Sequence, residues 1–224
     1  STATALGSAI GSTDVTAALG LKAGDWVEVK SKEEILRSLD PKGALDHMLF
    51  MPEMLQFCGK RFRVVKVAHK TCDTVTASGG RRLERTVHLE GLRCSGDDHG
   101  GCEAGCLLFW KEAWLRRSPA NGLQPSAHGE AVSAKGIEDV LYRATKATDS
   151  SADDPSYRCQ ATNLLEATQP LPWWQPRQYV KDVTSGNHSV GNMLRLIVFA
   201  GYRALLELGY GYRVLLGAYN GFQR

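Results

Sequence analysis

Alternating apolar and polar positions predict several short strands in the first half of the chain. Residues 26–30, which follow a Gly-Asp turn, alternate with a period of two, and residues 60–67 do so with one basic face. Residues 85–89 predict another strand, and residues 112–116 a last one that would close the sheet. A polar, glycine-rich hairpin tip is expected at residues 77–82. Several short strands joined by turns are typical of a small SH3-like barrel.

Helical patterns separate some of these strands and dominate the second half of the chain. Ser31 is expected to cap a short helix over residues 32–39, and Pro52 suits the first position of another. Further helices are predicted over residues 135–148, 157–165 and 190–208. The predicted fold class is therefore α+β, a small SH3-like β-barrel with a Cys-rich loop followed by an α-helical C-terminal region.

The same patterns divide the chain into four parts. Residues 1–20 are mostly Ala, Ser, Gly and Thr and are expected to be flexible, while residues 21–117 form the barrel with its cysteine cluster. Residues 118–134 are predicted to be a linker, and residues 135–224 a helical region and dimer interface. The last helix is apolar on nearly every side but carries charged residues, so it is a poor membrane span and is expected to pack against another polypeptide.

Composition and charge narrow the function classes only a little. The chain has 224 residues, of which 43% are hydrophobic, so it can build a substantial core. Its net charge of +3 disfavours nucleic-acid binding. No secretory leader is recognisable at the N-terminus, and we expect a soluble cytoplasmic protein that does not bind membranes.

Three of the six cysteines share one glycine-rich loop with a histidine, in the spacing Cys94-x4-His99-x2-Cys102-x3-Cys106. Glycines between them allow the tight turns that would direct several thiols inward. Thiolates favour zinc, with iron–sulfur chemistry as an alternative, and a four-ligand site would be closed and structural. Cys72 is the predicted fourth thiolate, and His99 is its substitute. Buried reduced cysteines and, after them, disulfides are the other interpretations.

A short apolar segment carries three ionisable side chains, Asp46, His47 and Glu53. Burial among its leucine, methionine and phenylalanine side chains would raise the pKa of a carboxylate, which prepares it as a general acid or base. The alternative is that these residues only form caps and turns. Arg61 and Arg63 follow on a basic strand that could attract a sulfate, a phosphate or an acidic partner.

The chain also contains longer motifs, which include GDWVEV from Gly24, CGKRFRV from Cys58, HLEGLRC from His88, GCEAGC from Gly101 and YRCQAT from Tyr157. Together they resemble a poorly characterised bacterial family that consists largely of hypothetical proteins, and the likeness covers most of residues 21–224. The resemblance implies two SH3-like barrels joined by a helical middle, each barrel with four cysteines. The first set corresponds here to Cys72, Cys94, Cys102 and Cys106.

This chain stops after the helical region, before a second barrel. It therefore resembles the larger subunit of a split, two-protein version of the family that closes an aziridine ring in the azinomycin pathway. The resemblance implies that an amine attacks a neighbouring carbon and expels a sulfate ester, on a diamino acid held by a small acidic amino-group carrier protein. The expected partners are thus a second SH3-like subunit and that carrier protein.

In such a reaction Asp46 and Glu53 are the candidate bases. The candidates for holding the departing anion are His47, Lys60, Arg61 and Arg63. No redox cofactor is needed, and no dinucleotide or phosphate-loop motif is present. The alternative function is a non-catalytic, zinc-bearing SH3-like scaffold or carrier-protein binding module. Loss of function on substitution of Asp46 and Glu53 would distinguish the enzyme from the scaffold.

Overall fold

A five-stranded antiparallel sheet forms the centre of the protein in a computed structural model. The structure describes residues 18–73, 75–119, 134–148, 150 and 155–207, with isolated positions at 211 and 221. Short antiparallel strands and helices share these residues, which confirms the predicted α+β class. The predicted flexible N-terminus, except for residues 18–20, and most of the predicted linker lie outside the described residues.

The strands, in chain order, are β1 (Trp26–Val29), β2 (Ala44–Leu45), β3 (Met48–Leu49), β4 (Arg61–Val67), β5 (Lys70–Asp73), β6 (Gly79–Arg82), β7 (Thr86–Leu89), β8 (Trp110–Lys111), β9 (Leu115–Arg117) and β10 (Gln169–Pro170). The central sheet has the order β8-β7-β4-β1-β9, and β10-β6-β5 form a second sheet. Strands β2 and β3 form a separate hairpin. The predicted strands over residues 26–30, 60–67 and 85–89 are confirmed as β1, β4 and β7.

The edges of the central sheet do not meet. Strand β8 pairs only with β7, and β9 pairs only with β1, within the part of the chain that the structure describes. The strand predicted over residues 112–116 is largely wrong, because Glu112–Trp114 form a 3-10 turn and the strand begins at Leu115. The sheet is therefore open here, and its classification as an SH3-like barrel stays a prediction.

The predicted hairpin tip at residues 77–82 is also misplaced. Most of it is strand β6, which pairs with β5 on one side and β10 on the other. The tip lies before it, where the carboxylate of Asp73 accepts hydrogen bonds from the amides of Val75, Thr76 and Ser78 at 3.0, 3.0 and 3.1 Å. The Asp73 side chain thus holds the turn. In β6, which follows, Nε of Arg81 donates to the Thr168 hydroxyl at 2.9 Å and so joins the strand to the helical region.

The helices are α1 (Lys32–Ser38), α2 (Ala134–Thr145), α3 (Leu164–Ala167), α4 (Pro176–Thr184) and α5 (Val190–Glu207), with short 3-10 helices at Pro52–Phe57 and Asp97–His99. Ser31 caps α1 as predicted, in a capping box whose return bond runs from the Ser31 amide to the Glu34 carboxylate at 3.1 Å. The helix predicted over residues 157–165 is wrong in its first part. Residues 157–163 form a bridge and a turn, and α3 begins only at Leu164.

An aromatic cluster fills the core beneath the central sheet. Phe50, Trp110 and Trp114 have no solvent exposure, and the Phe50 ring meets both indoles edge to face at centroid distances of 6.2 and 5.1 Å. The carboxylate of Glu112, beside Trp114 in the 3-10 turn, accepts hydrogen bonds from the amides of residues 19, 20 and 21 at 2.8, 3.2 and 3.3 Å. Leu19 and Gly20, predicted as part of a flexible segment, are therefore held in place by the 3-10 turn next to the sheet.

Helix α5 differs from the rest of the fold because none of its side chains is buried. Nine of its large apolar residues are 40–67% exposed, from Val190 at 67% to Leu206 at 40%. Among the described helices, none has the length and apolar character needed to cross a membrane.

Replacement of Phe50 by Ala should lower the free energy of unfolding by about 3–5 kcal/mol, since it removes the ring that packs against both tryptophans and leaves a cavity. The measurement is chemical denaturation monitored by tryptophan fluorescence. Val65→Ala is the control, because Val65 is 44% exposed and its loss should change stability by less than about 0.5 kcal/mol. Equal effects of the two substitutions would contradict this description of the core.

Candidate functional site

Two thiols and an imidazole come together at Cys94, His99 and Cys159, which we call the compact group. One potential ligand atom from each lies within 4.8 Å of the other two, so small adjustments would allow a single metal ion to contact all three. Cys94 is buried, and the other two residues are half-buried. This group could hold a metal ion, and its donor atoms are compatible with zinc.

The glycine-rich loop positions two members of the group. Cys94 is fixed by a 2.8 Å bond from its amide to the Cys106 carbonyl. His99 ends a 3-10 turn that is bounded by glycines with positive φ. At Gly96, with φ of +85°, an added Cβ would lie 1.8 Å from the Cys102 carbonyl oxygen. Only glycine fits there, which is why the loop can fold back onto Cys94.

The third member is brought by residues 157–163, which we call the strap. The Tyr157 amide donates to the Asp98 carbonyl at 2.8 Å, and the Tyr157 carbonyl lies 2.8 Å from Nδ1 of His99. Nδ1 of His99 therefore donates, and Nε2 is left with its lone pair. Nε2 is buried without a hydrogen-bond partner. A backbone carbonyl on one ring nitrogen and a free lone pair on the other is the usual arrangement for a metal-binding histidine.

Gln160 anchors the strap next to Cys159. Its side chain is 3% exposed, accepts from the Phe109 amide at 2.8 Å, and donates to the carbonyls of Phe109 and Leu49 at 2.9 and 2.8 Å. Both its side-chain oxygen and its side-chain nitrogen are therefore bonded to main-chain groups of two other segments. Cys159 is thereby held over the glycine-rich loop.

Glu53, a predicted catalytic base, lies at this group. Its Oε1 is 3.5 Å from Nε2 of His99 and is buried without a hydrogen-bond partner, while Oε2 accepts from the Ser95 amide at 3.1 Å. Burial alone would raise the pKa of Glu53, but the nearby His99 ring, the Ser95 amide and the Cys94 thiol favour the charged carboxylate and lower that pKa. The carboxylate is therefore a candidate for a fourth ligand.

The surroundings of Cys94 and Cys159 favour the protonated form of both thiols. Burial, with the nearby Glu53 carboxylate, raises the pKa of the Cys94 thiol to about 12, and burial also raises the pKa of Cys159. A bound cation would reverse this preference, because its charge favours the thiolate. All six cysteines are free thiols, so the structure contains no disulfide.

The other predicted thiols lie around the same site. Cys72 and Cys106 line, with Cys94 and Cys159, one cavity of about 350 Å³. Cys72 and Cys102 are exposed and Cys106 is half-buried. The structure thus brings three of the four predicted thiols, Cys72, Cys94 and Cys106, to one cavity. Of the four, only Cys94 belongs to the compact group. His99, the predicted substitute ligand, belongs to it as well. Cys159 was missed, although it lies in the YRCQAT motif.

Asp46 and His47 lie elsewhere, in the turn between β2 and β3. Both are exposed, with φ of 49° and 62°. The Asp46 side chain is 70% exposed and its Oδ2 lies 3.0 Å from Nζ of Lys111. The burial expected for this carboxylate is therefore not found. Asn163 of the strap fixes the turn by donating to the His47 carbonyl at 2.8 Å.

A cavity of about 390 Å³ opens beside this turn. Its lining includes His47 and equal numbers of basic and acidic side chains. These are Arg82, Arg85 and Lys111, and Asp46, Glu84 and Glu166. Of the four non-glycine residues with positive φ in the described chain, three line this cavity: Asp46, His47 and Arg85. Such backbone costs on the order of 1–3 kcal/mol at each position and is concentrated at functional sites. We call this cavity the cationic cavity.

Arg61 and Arg63 do not line the cationic cavity. Both belong to β4, where Arg61 donates to the Pro119 carbonyl and Arg63 is in register with Trp26 of β1. The predicted catalytic residues are therefore divided among three places. Glu53 lies at the compact group, and Asp46 and His47 lie at the cationic cavity. The two arginines lie on the central sheet. Arg82 was missed as a companion of Asp46 because β6 was predicted as a hairpin tip.

Comparison of the chain with protein-family models, with curated proteins and with solved structures found no match. The interpretation of both sites therefore depends on their geometry and on the motifs of the sequence.

Substitution of Cys159 by Ser, or of His99 by Gln, should weaken zinc binding by more than about tenfold, since even the loss of an outer-shell partner of a ligand costs about 10–100-fold. The measurement is competition with a chromogenic chelator, on protein that binds about one zinc per chain. Cys58→Ser is the control, because Cys58 lies outside this group.

The same measurement separates the compact group from the four-thiol set expected from the sequence. Cys72→Ser should retain zinc affinity within about threefold, because a tetrahedral site needs only four ligands and Oε1 of Glu53, 3.5 Å from Nε2 of His99, is the proposed fourth. Loss of zinc in Cys72→Ser with retention in Cys159→Ser would favour the four-thiol set instead.

Proposed function

We propose that this chain is the zinc-bearing subunit of a biosynthetic enzyme that closes an aziridine ring. In this proposal an amine of a carrier-bound diamino acid displaces a sulfate ester from the neighbouring carbon. The observation that carries the proposal is the cationic cavity, where the Asp46 carboxylate lies beside three cationic side chains and where Asp46, His47 and Arg85 have positive φ. The motifs of the sequence supply the reaction type.

The chemistry needs a proton acceptor and an anion site on one substrate. The amine must be neutral to attack, so Asp46 takes a proton from its ammonium form. The nitrogen then forms a bond to the neighbouring carbon, and the carbon–oxygen bond breaks with its electron pair leaving on the sulfate. Donors from Arg82, Arg85 and Lys111 would stabilise that departing charge. A cavity of about 390 Å³ has room for a diamino acid.

The strained backbone supports a preorganised role for this cavity. Holding the reacting groups in line contributes more to ring closure than any single contact, because the attacking and leaving groups lie on neighbouring carbons. The bonds from Asn163 to the His47 carbonyl and from Lys111 to the Glu84 carbonyl fix two sides of the cavity. His47 lies at its exposed rim, where it could contact the carrier-bound substrate.

The metal in this proposal is a structural zinc held by Cys94, His99 and Cys159, with Glu53 as the fourth ligand. Two thiolates, an imidazole and a carboxylate oxygen form a donor set that zinc accepts. The buried, unpartnered atoms Nε2 of His99 and Oε1 of Glu53 support it, because each would gain a partner. Reduced thiols of this kind persist in the cytoplasm, which is the proposed place of action.

The proposed partners are a second, SH3-like subunit and a small acidic carrier protein. Helix α5 supports the first, because its exposed apolar residues would be covered in a heterodimer. Arg82 and Arg85 support the second, because these two side chains beside Asp46 could form ion pairs with an acidic carrier. The SH3-like relationship of the first half of the chain belongs to the same proposal.

The second candidate function is a non-catalytic module that binds the carrier protein. The 70% exposure of the Asp46 side chain favours it, because an exposed carboxylate is a less strongly activated base. The two functions differ in what happens when Asp46 loses its charge but keeps its shape. A binding module would keep turnover in the assembled enzyme, while the proposed base would not.

Asp46→Asn should therefore lower the rate of ring closure by about two to four orders of magnitude, the usual cost of losing general-base help. The measurement is single-turnover mass spectrometry with a sulfated, carrier-bound substrate and the partner subunit present. Glu90→Gln is the matched control, because Glu90 is an exposed carboxylate outside the cavity lining. Turnover of Asp46→Asn within threefold of the control would overturn the proposed role.

Leu194→Asp should disrupt association with the second subunit. Leu194 is 63% exposed on α5, and the burial of an unpaired charge in an interface has a large free-energy penalty. Dissociation constants from sedimentation should rise by at least about tenfold. Gln175→Asp adds the same charge at an exposed position before α4 and should leave association unchanged. Equal association of both variants would remove α5 from the interface.

A further inference from the structure

The cavity of about 350 Å³ beside the compact group, which we call the thiol cavity, reaches the protein surface. Cys72 and Cys106 line it together with Cys94 and Cys159, the two thiols of the compact group. Cys72 is exposed, Cys106 is half-buried and Cys94 is buried. Sulfur atoms therefore line the thiol cavity from the surface to the proposed zinc ligands.

The compact group is closed on its other side. Nε2 of His99 and Oε1 of Glu53 are fully enclosed and lie 3.5 Å apart. Neither residue lines the thiol cavity, whereas Cys94 and Cys159 both do. The two thiols are thus the proposed ligands that border an open space, and they are the first of the four that an arriving ion can meet.

Backbone pairing brings Cys106 next to Cys94. Arg93 and Leu107 form an antiparallel bridge, and the Cys94 amide donates to the Cys106 carbonyl at 2.8 Å. Cys94 and Cys106 are therefore opposite each other, with both side chains on the same face. The Cβ atoms of such a pair are typically about 4.5–5.5 Å apart. Cys106 is not a member of the compact group, so it could bind an ion beside Cys94 without being a final ligand.

The rest of the lining determines which ions could pass. Among the described residues that line the thiol cavity none carries a carboxylate, and Arg93 is its one arginine or lysine. The large apolar side chains of the lining are Met51, Leu107, Leu108, Phe109 and Leu164. Loss of hydration in apolar surroundings has a high cost for a cation, unless ligands from the wall replace the water. Thiolates do so for zinc and other thiophilic ions, but poorly for magnesium or calcium.

We propose that the thiol cavity is the route by which zinc enters and leaves the compact group, with Cys72 and Cys106 as transient ligands. Cys72 binds the ion at the surface, Cys106 binds it next, and Cys94 and Cys159 bind it last. Each thiol releases its proton to water as its sulfur–zinc bond forms, so no oxidant or reductant is needed. The proposal rests on the zinc site of the proposed function and adds a means of loading it.

Replacement of Cys72 or of Cys106 by Ser should slow both the uptake and the release of zinc by at least about tenfold, which corresponds to about 1.4 kcal/mol in the barrier. The affinity should stay within about threefold of the wild-type value, because the four final ligands are unchanged. A transient ligand alters the barrier and not the two end states. The measurement is stopped-flow transfer of zinc between the full chain and a chromogenic chelator, in both directions.

Two further variants test whether these thiols act as ligands. Cys102→Ser is the matched control, because Cys102 is an exposed thiol of the same glycine-rich loop that does not line the thiol cavity. Its rates should equal those of the wild type. Cys72→His separates a ligand from a change in the shape of the cavity. Since imidazole also binds zinc, its rates should return to within about threefold of the wild-type rates.

Rates of Cys72→Ser and Cys106→Ser within about threefold of the wild type, at unchanged affinity, would overturn the route and leave the zinc site intact. The route is also wrong if Cys102→Ser is slowed equally, or if Cys72→His is as slow as Cys72→Ser. Wild-type protein that binds no zinc at equilibrium would instead overturn the zinc site of the proposed function, and the route with it. Should Cys106→Ser fail to fold, the two variants of the exposed Cys72 decide the question.

Discussion

The docking of the strap, residues 157–163, onto the first half of the chain is the contact on which both candidate sites depend. Gln160 spans the segments at Leu49 and Phe109, and Tyr157 bonds to Asp98 and His99. Asn163 reaches the His47 carbonyl at the other end. Without the strap, the compact group would lose Cys159, and the turn at residues 46–47 would lose its hydrogen bond from Asn163.

This arrangement gives the proposed zinc a function other than catalysis. An ion held by Cys94, His99 and Cys159 would join the glycine-rich loop to the strap, and the binding energy of such an ion contributes to folding. The same strap fixes the strained turn that carries Asp46. Metal binding would therefore stabilise the geometry of the cationic cavity from a distance, and the metal would have no part in the proposed ring closure itself.

Local sequence signals predicted the elements whose cause is local. The capping box at Ser31, the strand pattern of residues 26–30 and the proline-initiated helix at Pro52 each depend on interactions within a few residues. Strand β6 was missed because its GGRR sequence has no apolar alternation. It exists because β5 and β10 pair with it on both sides, and that pairing is tertiary.

The candidate sites were predictable only in part, for the same reason. The spacing of Cys94 and His99 indicated a metal loop, since both lie in one turn. Cys159 reaches them through the side-chain bonds of Gln160, which no spacing rule encodes. In the same way, Asp46 could be recognised as an ionisable residue in an apolar segment. Its pairing with Lys111 follows from the position of β8 in the sheet.

X-ray absorption at the zinc edge tests most directly whether the strap completes the metal site. The structure predicts two sulfur ligands at about 2.3 Å together with nitrogen and oxygen ligands at about 2.0–2.2 Å. A shell of four sulfur atoms would contradict it, because only Cys94 and Cys159 among the thiols belong to the compact group. Such a result would mean that the glycine-rich loop binds the metal without His99 and that the strap is held by its hydrogen bonds alone.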